Sequence, residues 1–218
     1  MNIFDILGPV MVGPSSSHTA GAVRIGNISR RLLGDKPVKA EIYLHGSFAL
    51  TGVGHGTDKA IIAGLLGMET DNMRIPESFE IAVKEGLEYS IGTVNLKEAH
   101  PNSVLLKLKG EGGRELEIIA SSVGGGRINV EEIDGIKTQF SGDYPTLVVH
   151  NEDRPGHVAQ VTSALSHHGI NIATLKLFRD KRGGYAVMIA ETDQPIPENV
   201  VKWIERSEGV IKVTYINV

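Results

Sequence analysis

Three short segments concentrate side chains able to grip an anion or move a proton. Gly13-Pro14-Ser15-Ser16-Ser17-His18-Thr19 sets four hydroxyls and an imidazole ahead of an apolar-periodic run. A Ser or Thr at that place caps a helix by accepting from its free N–H groups. Those N–H groups and hydroxyls can also hold a carboxylate or phosphate. One serine is enough for a cap, so capping leaves the histidine and the other hydroxyls unaccounted for. The second segment, His45-Gly46-Ser47 through Gly54-His55-Gly56-Thr57-Asp58, sets two histidines among four glycines. Glycine permits close approach and unusual backbone angles, and histidine exchanges protons near neutral pH. A loop of tight turns with exposed imidazoles reads equally well from these residues. In the third, His100-Pro101-Asn102, proline stiffens the chain beside a possible acid or base and an amide able to bind a carboxylate or amine. A plain polar turn is the competing reading.

Other patterns fail on chemistry. Gly8 to Gly13 has the glycine spacing of a phosphate loop, but Pro14-Ser15 stands where Lys-Ser/Thr is required. Gly52-Val53-Gly54-His55-Gly56-Thr57 starts like a dinucleotide fingerprint and ends on Thr57. Gly124-Gly125-Gly126-Arg127 suits an anion site or, at least as well, a turn between strands. His167 and His168 end a helix, where a cation complements the dipole. His150 and His157 flank a loop. There is no HExxH and no paired-histidine metal spacing, so no metal ligand is expected from this chain.

The elements that must position these segments fall into two regions. Residues 1–143 are expected to be an α/β domain with a mixed or antiparallel sheet. Helices are expected from Ser17 to Leu33 (Ala22, Ile25, Ile28 and Leu32 inward), Asp58 to Leu66, and Pro76 to Tyr89 with Phe79, Val83 and Leu87 inward. Strands are expected at Lys39–Leu44, Val104–Leu108, Glu115–Ser121 and Ile128–Ile133. A break at Ser141-Gly142-Asp143-Tyr144-Pro145 separates residues 144–218. There, strands at Thr146–His150, Ile170–Phe178, Tyr185–Thr192 and Val210–Ile216 alternate with helices at Gly156–His168 (Val158, Val161 and Leu165 inward) and Pro197–Arg206. The order β-α-β-β-α-β is the ferredoxin-like arrangement, so the chain is α+β overall. The second region carries eight acidic and eight basic side chains, which leaves the whole net charge of −4 on the first.

Composition sets outer limits. The 218 residues suffice for one large or two modest domains, and 41% hydrophobic with 22% charged residues suits a folded globular protein. There is no cysteine, which excludes disulfides, thiolate zinc, a cysteine nucleophile and a cysteine-held iron–sulfur cluster built from this chain. A mildly acidic chain with 5% aromatics lacks the field and stacking surface for nucleic acid. No apolar run reaches membrane-spanning length, and the N-terminus, with Asp5 and no basic residue, lacks the charged start of a secretory signal. A cytoplasmic protein is expected.

Taken together, the three motifs resemble the β subunits of the iron–sulfur-dependent L-serine dehydratases. Residues 144–218 resemble an ACT domain through Asp153-Arg154-Pro155-Gly156 and Gly169-Ile170-Asn171-Ile172. The resemblance covers essentially the whole chain. It implies an L-serine ammonia-lyase (EC 4.3.1.17) that yields pyruvate and ammonia without pyridoxal phosphate and is active only with an α subunit. That subunit's cysteines would hold a [4Fe–4S] cluster, a division that fits the missing cysteines here. It implies catalytic roles for His18, His55, His100 and Asn102, with the base itself unassigned. Ser15, Ser16, Ser17, Thr19, His45 and Asp58 would bind substrate, the hydroxyls meeting serine's carboxylate at the subunit interface. Asn151, Asp153, Gly156, Asn171 and Ile172 would form an effector pocket between paired ACT domains, hence a homodimeric contact. The first region also resembles the allosteric substrate-binding domain of some phosphoglycerate dehydrogenases, so a non-catalytic serine-sensing module is the alternative.

Overall fold

The computed structural model describes residues 10–217. Asp5 and Gly8 lie outside the described residues. By internal contacts the chain divides into two compact units, Met1–Asp134 and Gly135–Val218.

The first unit is a sheet with helices packed on it. The serine-rich segment forms a π-helical turn, Ser16–Ala20, which runs directly into α1, Gly21–Leu33. The stripe Ala22, Ile25, Ile28 and Leu32 is buried, as its spacing of three and four residues requires. Gly34 stops α1 in the left-handed region, its N–H returning to Arg30 O. In β1, Pro37–Leu44, Ala40, Ile42 and Leu44 point inward while Lys39, Glu41 and Tyr43 do not. β2 (Glu88–Thr93), β3 (Ser103–Gly110), β4 (Glu115–Gly124) and β5 (Arg127–Ile133) follow, and the strands of this unit run in the order β2-β1-β3-β4-β5. β1 and β2 are parallel, and the pairs from β1 through β5 are antiparallel. The sheet is therefore mixed, within the expected class.

Three local expectations are corrected. The glycine-rich stretch after His45 is helix α2, Gly46–His55, followed by α3, Thr57–Leu65, across Gly56. The expected helix to Tyr89 ends as α4 at Ser78–Glu85. Gly86, at φ 77°, caps it, and the β-prone residues beyond become β2. Its inward residues are Ile81 and Ala82, while Val83 is exposed. Helices α1 and α3 meet at Gly26 and Gly64, where a Cβ on either residue would collide with the other helix's backbone.

The second unit opens with a strand the periodicity did not reveal, β6 (Ile136–Phe140). The βαββαβ order follows as expected: β7 (Thr146–Glu152), α5 (His157–His167), β8 (Ile172–Arg179), β9 (Tyr185–Thr192), α6 (Glu198–Glu205) and β10 (Val210–Ile216). The last four strands lie in the order β10-β7-β9-β8, all antiparallel. Leu147, Val149, Met188 and Val213 from the strands share one core with Val161, Leu165, Val200 and Ile204 from the helices. Val158, expected inward, is partly exposed, and Ala164 takes the place beside Val161 and Leu165.

Candidate active site and effector clefts

The first two motifs converge on the ring of His18. Ser15 caps the π-turn, its Oγ accepting from the His18 N–H at 3.1 Å. Single π-turns cluster at functional sites because they offset the side chains around them. His18 Nδ1 lies 3.1 Å from Ser17 Oγ and 3.5 Å from Ser15 Oγ. On the other side Nε2 lies 3.0 Å from Ser47 Oγ, in the first turn of α2. The edge of the ring meets buried Phe48 at 5.3 Å, and the exposed ring of His55 sits 5.1 Å away. Burial and the neighbouring His55 hold the His18 imidazole below the usual histidine range, so it is neutral at neutral pH. A neutral ring with a hydroxyl at each nitrogen can accept a proton at one side and give one up at the other.

The third motif is joined to this site by the backbone. Gly46, at φ 54°, lies flat against Pro101, where a Cβ would come 2.6 Å from Pro101 O. Ser47 N–H donates to Pro101 O at 2.7 Å and His45 N–H to Ser103 O at 3.0 Å. Asn102 O accepts from Ser122 N–H at 3.0 Å, which ties the motif to β4 as well.

The remaining expected residues behave differently. Thr19 is buried and its hydroxyl donates to His55 O at 3.2 Å, fastening the end of α2. His55 itself is exposed, while Ser16 is half-buried beside Ser15 and Ser17. His100 is exposed, and its Nδ1 accepts from Asn102 N–H at 3.1 Å. Asp58 sits in the first turn of α3, its carboxylate accepting from Lys59 N–H at 2.8 Å. The His45 ring faces Val94 and Leu96, in the connection after β2.

Sequence reasoning passed over Ser47, although it stands inside the second motif. It also passed over Thr57 and Ser122, whose hydroxyls are buried without a partner. Ser122 Oγ lies where a Cβ on Gly21 would be, under the π-turn. Nothing in the strand pattern around Ser122 marks it.

In the second unit the five expected effector residues separate. Asn151 pairs with Ala186 at one end of β9, and Ile172 pairs with Thr192 at the other. Gly156 lines an open cleft of about 400 Å³ with Glu152, Arg154, His157 and Glu208. Asn171 and Ile172 line another, of about 470 Å³, with Thr162 and Ser166. Asp153 Oδ2 accepts from Gly183 N–H at 2.9 Å and Arg179 at 3.1 Å. The Gly183 N–H above all, with Arg179 helping, holds this carboxyl below the usual carboxylate range. Asn171 Nδ2 donates to Asp193 at 2.6 Å. Asn151 Oδ1 and His157 Nδ1 are buried without a partner; His157 lines the first cleft, and no motif pointed to it there. Among the described residues no three His, Cys, Asp or Glu gather to hold a metal, and no helix is long and apolar enough to cross a membrane.

Comparison with known proteins adds an independent line. The family described as serine dehydratase beta chain matches residues 2–86, and the ACT domain family matches residues 145–208. The chain is 39% identical to the probable L-serine dehydratase, beta chain, of Bacillus subtilis, over 99% of this chain and 97% of that protein. It is 39% identical to the L-serine dehydratase, beta chain, of Peptoniphilus asaccharolyticus, over the same shares. A D-3-phosphoglycerate dehydrogenase of Methanocaldococcus jannaschii is 27% identical over 56% of this chain and 23% of its own length.

Proposed function

This chain belongs to the L-serine dehydratase beta-chain family, and we propose that its first unit completes the serine-binding and proton-handling side of an active site whose other half is an α subunit. The chain is the β subunit of an L-serine dehydratase, which converts L-serine to pyruvate and ammonia, and it carries a regulatory ACT domain. The observation that supports the division of labour is the His18 ring, held between the Ser17 and Ser47 hydroxyls with His55 alongside.

Deamination of serine removes the α-proton, expels the β-hydroxyl as water and leaves an aminoacrylate that hydrolyses to pyruvate and ammonia. Three tasks fall to this chain. The hydroxyls of Ser15, Ser16 and Ser17 hold the substrate carboxylate at the π-turn. Neutral His18 relays a proton between Ser47 and Ser17, and His55 takes protons from the exposed side. Asn102, fixed by Pro101 and Ser122, orients the substrate amine or carboxylate. Thr19 serves by bracing α2, and Asp58 by turning its carboxylate to the Lys59 N–H in the first turn of α3.

The expected [4Fe–4S] cluster finds no ligand set here, since the chain has no cysteine and its described residues gather no metal-binding cluster. In this reading the cluster belongs to the α subunit, and no task above runs through it. The ACT unit binds an amino-acid effector. Because the five pocket residues separate within one chain, a shared effector pocket requires two ACT units to bring opposite ends together. We place the assembly in the cytoplasm.

Reconstitution tests the reading. The chain alone should form no pyruvate from L-serine, and adding the α subunit should restore turnover. The match to a phosphoglycerate dehydrogenase keeps a sensing role as the rival. Serine binding by the isolated chain, with no contribution to turnover, would favour that rival.

A further inference from the structure

We infer that His45 is a positioning residue that holds the connection between β2 and β3, and through it Asn102, beside the His18–Ser47 pair. The inference rests on the serine-deaminating reading above. Residues 94–102 link β2 to β3 without regular structure of their own. The connection includes Glu98 at φ 58°, a left-handed angle that a side chain adopts only where neighbouring anchors impose it. Its far end is anchored by Ser47 N–H to Pro101 O at 2.7 Å and Ser103 Oγ to His100 O at 2.7 Å. Its near end is anchored by Val94 N–H to Leu44 O at 2.9 Å and by the His45 ring.

The ring meets the connection at a single nitrogen. His45 Nδ1 lies 3.2 Å from Leu96 N and 3.3 Å from Val94 O. Without a proton it accepts from Leu96; with one it can donate only to Val94. A main-chain N–H has a single hydrogen to place, whereas a carbonyl oxygen has two lone pairs and other ways to use them. Leu96 is therefore the partner that needs the ring, with Nδ1 as the acceptor for its N–H. An Nδ1 engaged by the Leu96 N–H is turned to the connection and away from the His18–Ser47 pair's proton traffic. This moves His45 from the substrate-binding group of the resemblance to a supporting role one step removed.

Two variants test the assignment in the reconstituted complex, with amide exchange on the full chain as a second readout. Asparagine places Oδ1 as many bonds from Cα as histidine places Nδ1, so His45→Asn keeps an acceptor for Leu96 and removes the ring. His45→Ala should raise KM for L-serine about tenfold with a smaller change in kcat, and His45→Asn should stay within about threefold of wild type in both. The Leu96 amide should exchange about tenfold faster in His45→Ala than in wild type, and near the wild-type rate in His45→Asn. Equal loss of kcat in both variants, or unchanged Leu96 exchange in His45→Ala, would overturn the inference. A wild-type complex unable to deaminate serine would sink the functional reading instead, while Leu96 exchange would still judge the anchor.

Discussion

His18 Nε2 and Ser47 Oγ lie 3.0 Å apart and join two segments separated by 29 positions in the chain. The contact draws the π-turn and the start of α2 into one site, and the Ser47 N–H extends it to Pro101. If this pair carries proton transfer, Ser47→Ala should lower kcat of the reconstituted enzyme about 10- to 100-fold with a smaller effect on KM. Steady-state kinetics with L-serine, beside a circular dichroism check of folding, decides it. An unchanged kcat would remove Ser47 from the chemistry.

The pH response should follow from the lowered pKa of His18. Burial comes first among its causes and His55 second. His55→Ala removes the like-charge neighbour, so the His18 pKa should rise toward its ordinary value and the acid limb of kcat/KM should move to higher pH. Stability carries the opposite sign from a paired histidine. The unfolded chain takes up this proton at about pH 6.5, before the folded one does, so His18's contribution is complete above that pH and is lost as pH falls through the depressed folded value. Denaturant titrations at stepped pH check the trend.

Gly26 and Gly64 set a test of packing. Alanine in a helix interior gains about 1 kcal/mol over glycine by propensity alone. Here each new Cβ would strike backbone, Ile61 O for Gly26 and Val23 O for Gly64. Overpacking against rigid backbone costs about 3 kcal/mol, so the collision should win. Gly26→Ala and Gly64→Ala should both unfold at lower urea, and a stabilised variant would contradict this account of the α1–α3 crossing.

Leu50 offers a test of the partner surface. It is 86% exposed on α2, the helix that carries Ser47 and His55. An apolar side chain left in water beside a half-site is suited to the surface that meets the α subunit. Leu50→Asp should leave the isolated chain folded, with stability changed by less than about 0.5 kcal/mol, and weaken association with the α subunit. Light scattering of the mixture reads the outcome, and undiminished assembly would place the interface elsewhere.

The sequence was most legible where one period governs a segment. The buried stripe of α1 and the βαββαβ order of the second unit follow from spacing alone. α2 was not legible, because its three glycines read as loop signals while its fixation by Pro101 and Thr19 is tertiary. β2 was hidden by the helical spacing of Phe79, Val83 and Leu87, which Gly86 interrupts in the structure. The site was readable as three motifs but not as roles. That His45 faces Leu96, that the Asp58 carboxylate turns to the Lys59 N–H, and that Asn151 and Ile172 pair with opposite ends of β9 depend on register, which local composition does not encode.

The most direct test of the half-site is the rate of pyruvate formation from L-serine by the α subunit combined with His18→Ala, measured against the wild-type complex. The account predicts that the variant chain still assembles and that turnover falls at least about 100-fold. An assembled complex with wild-type turnover would contradict it.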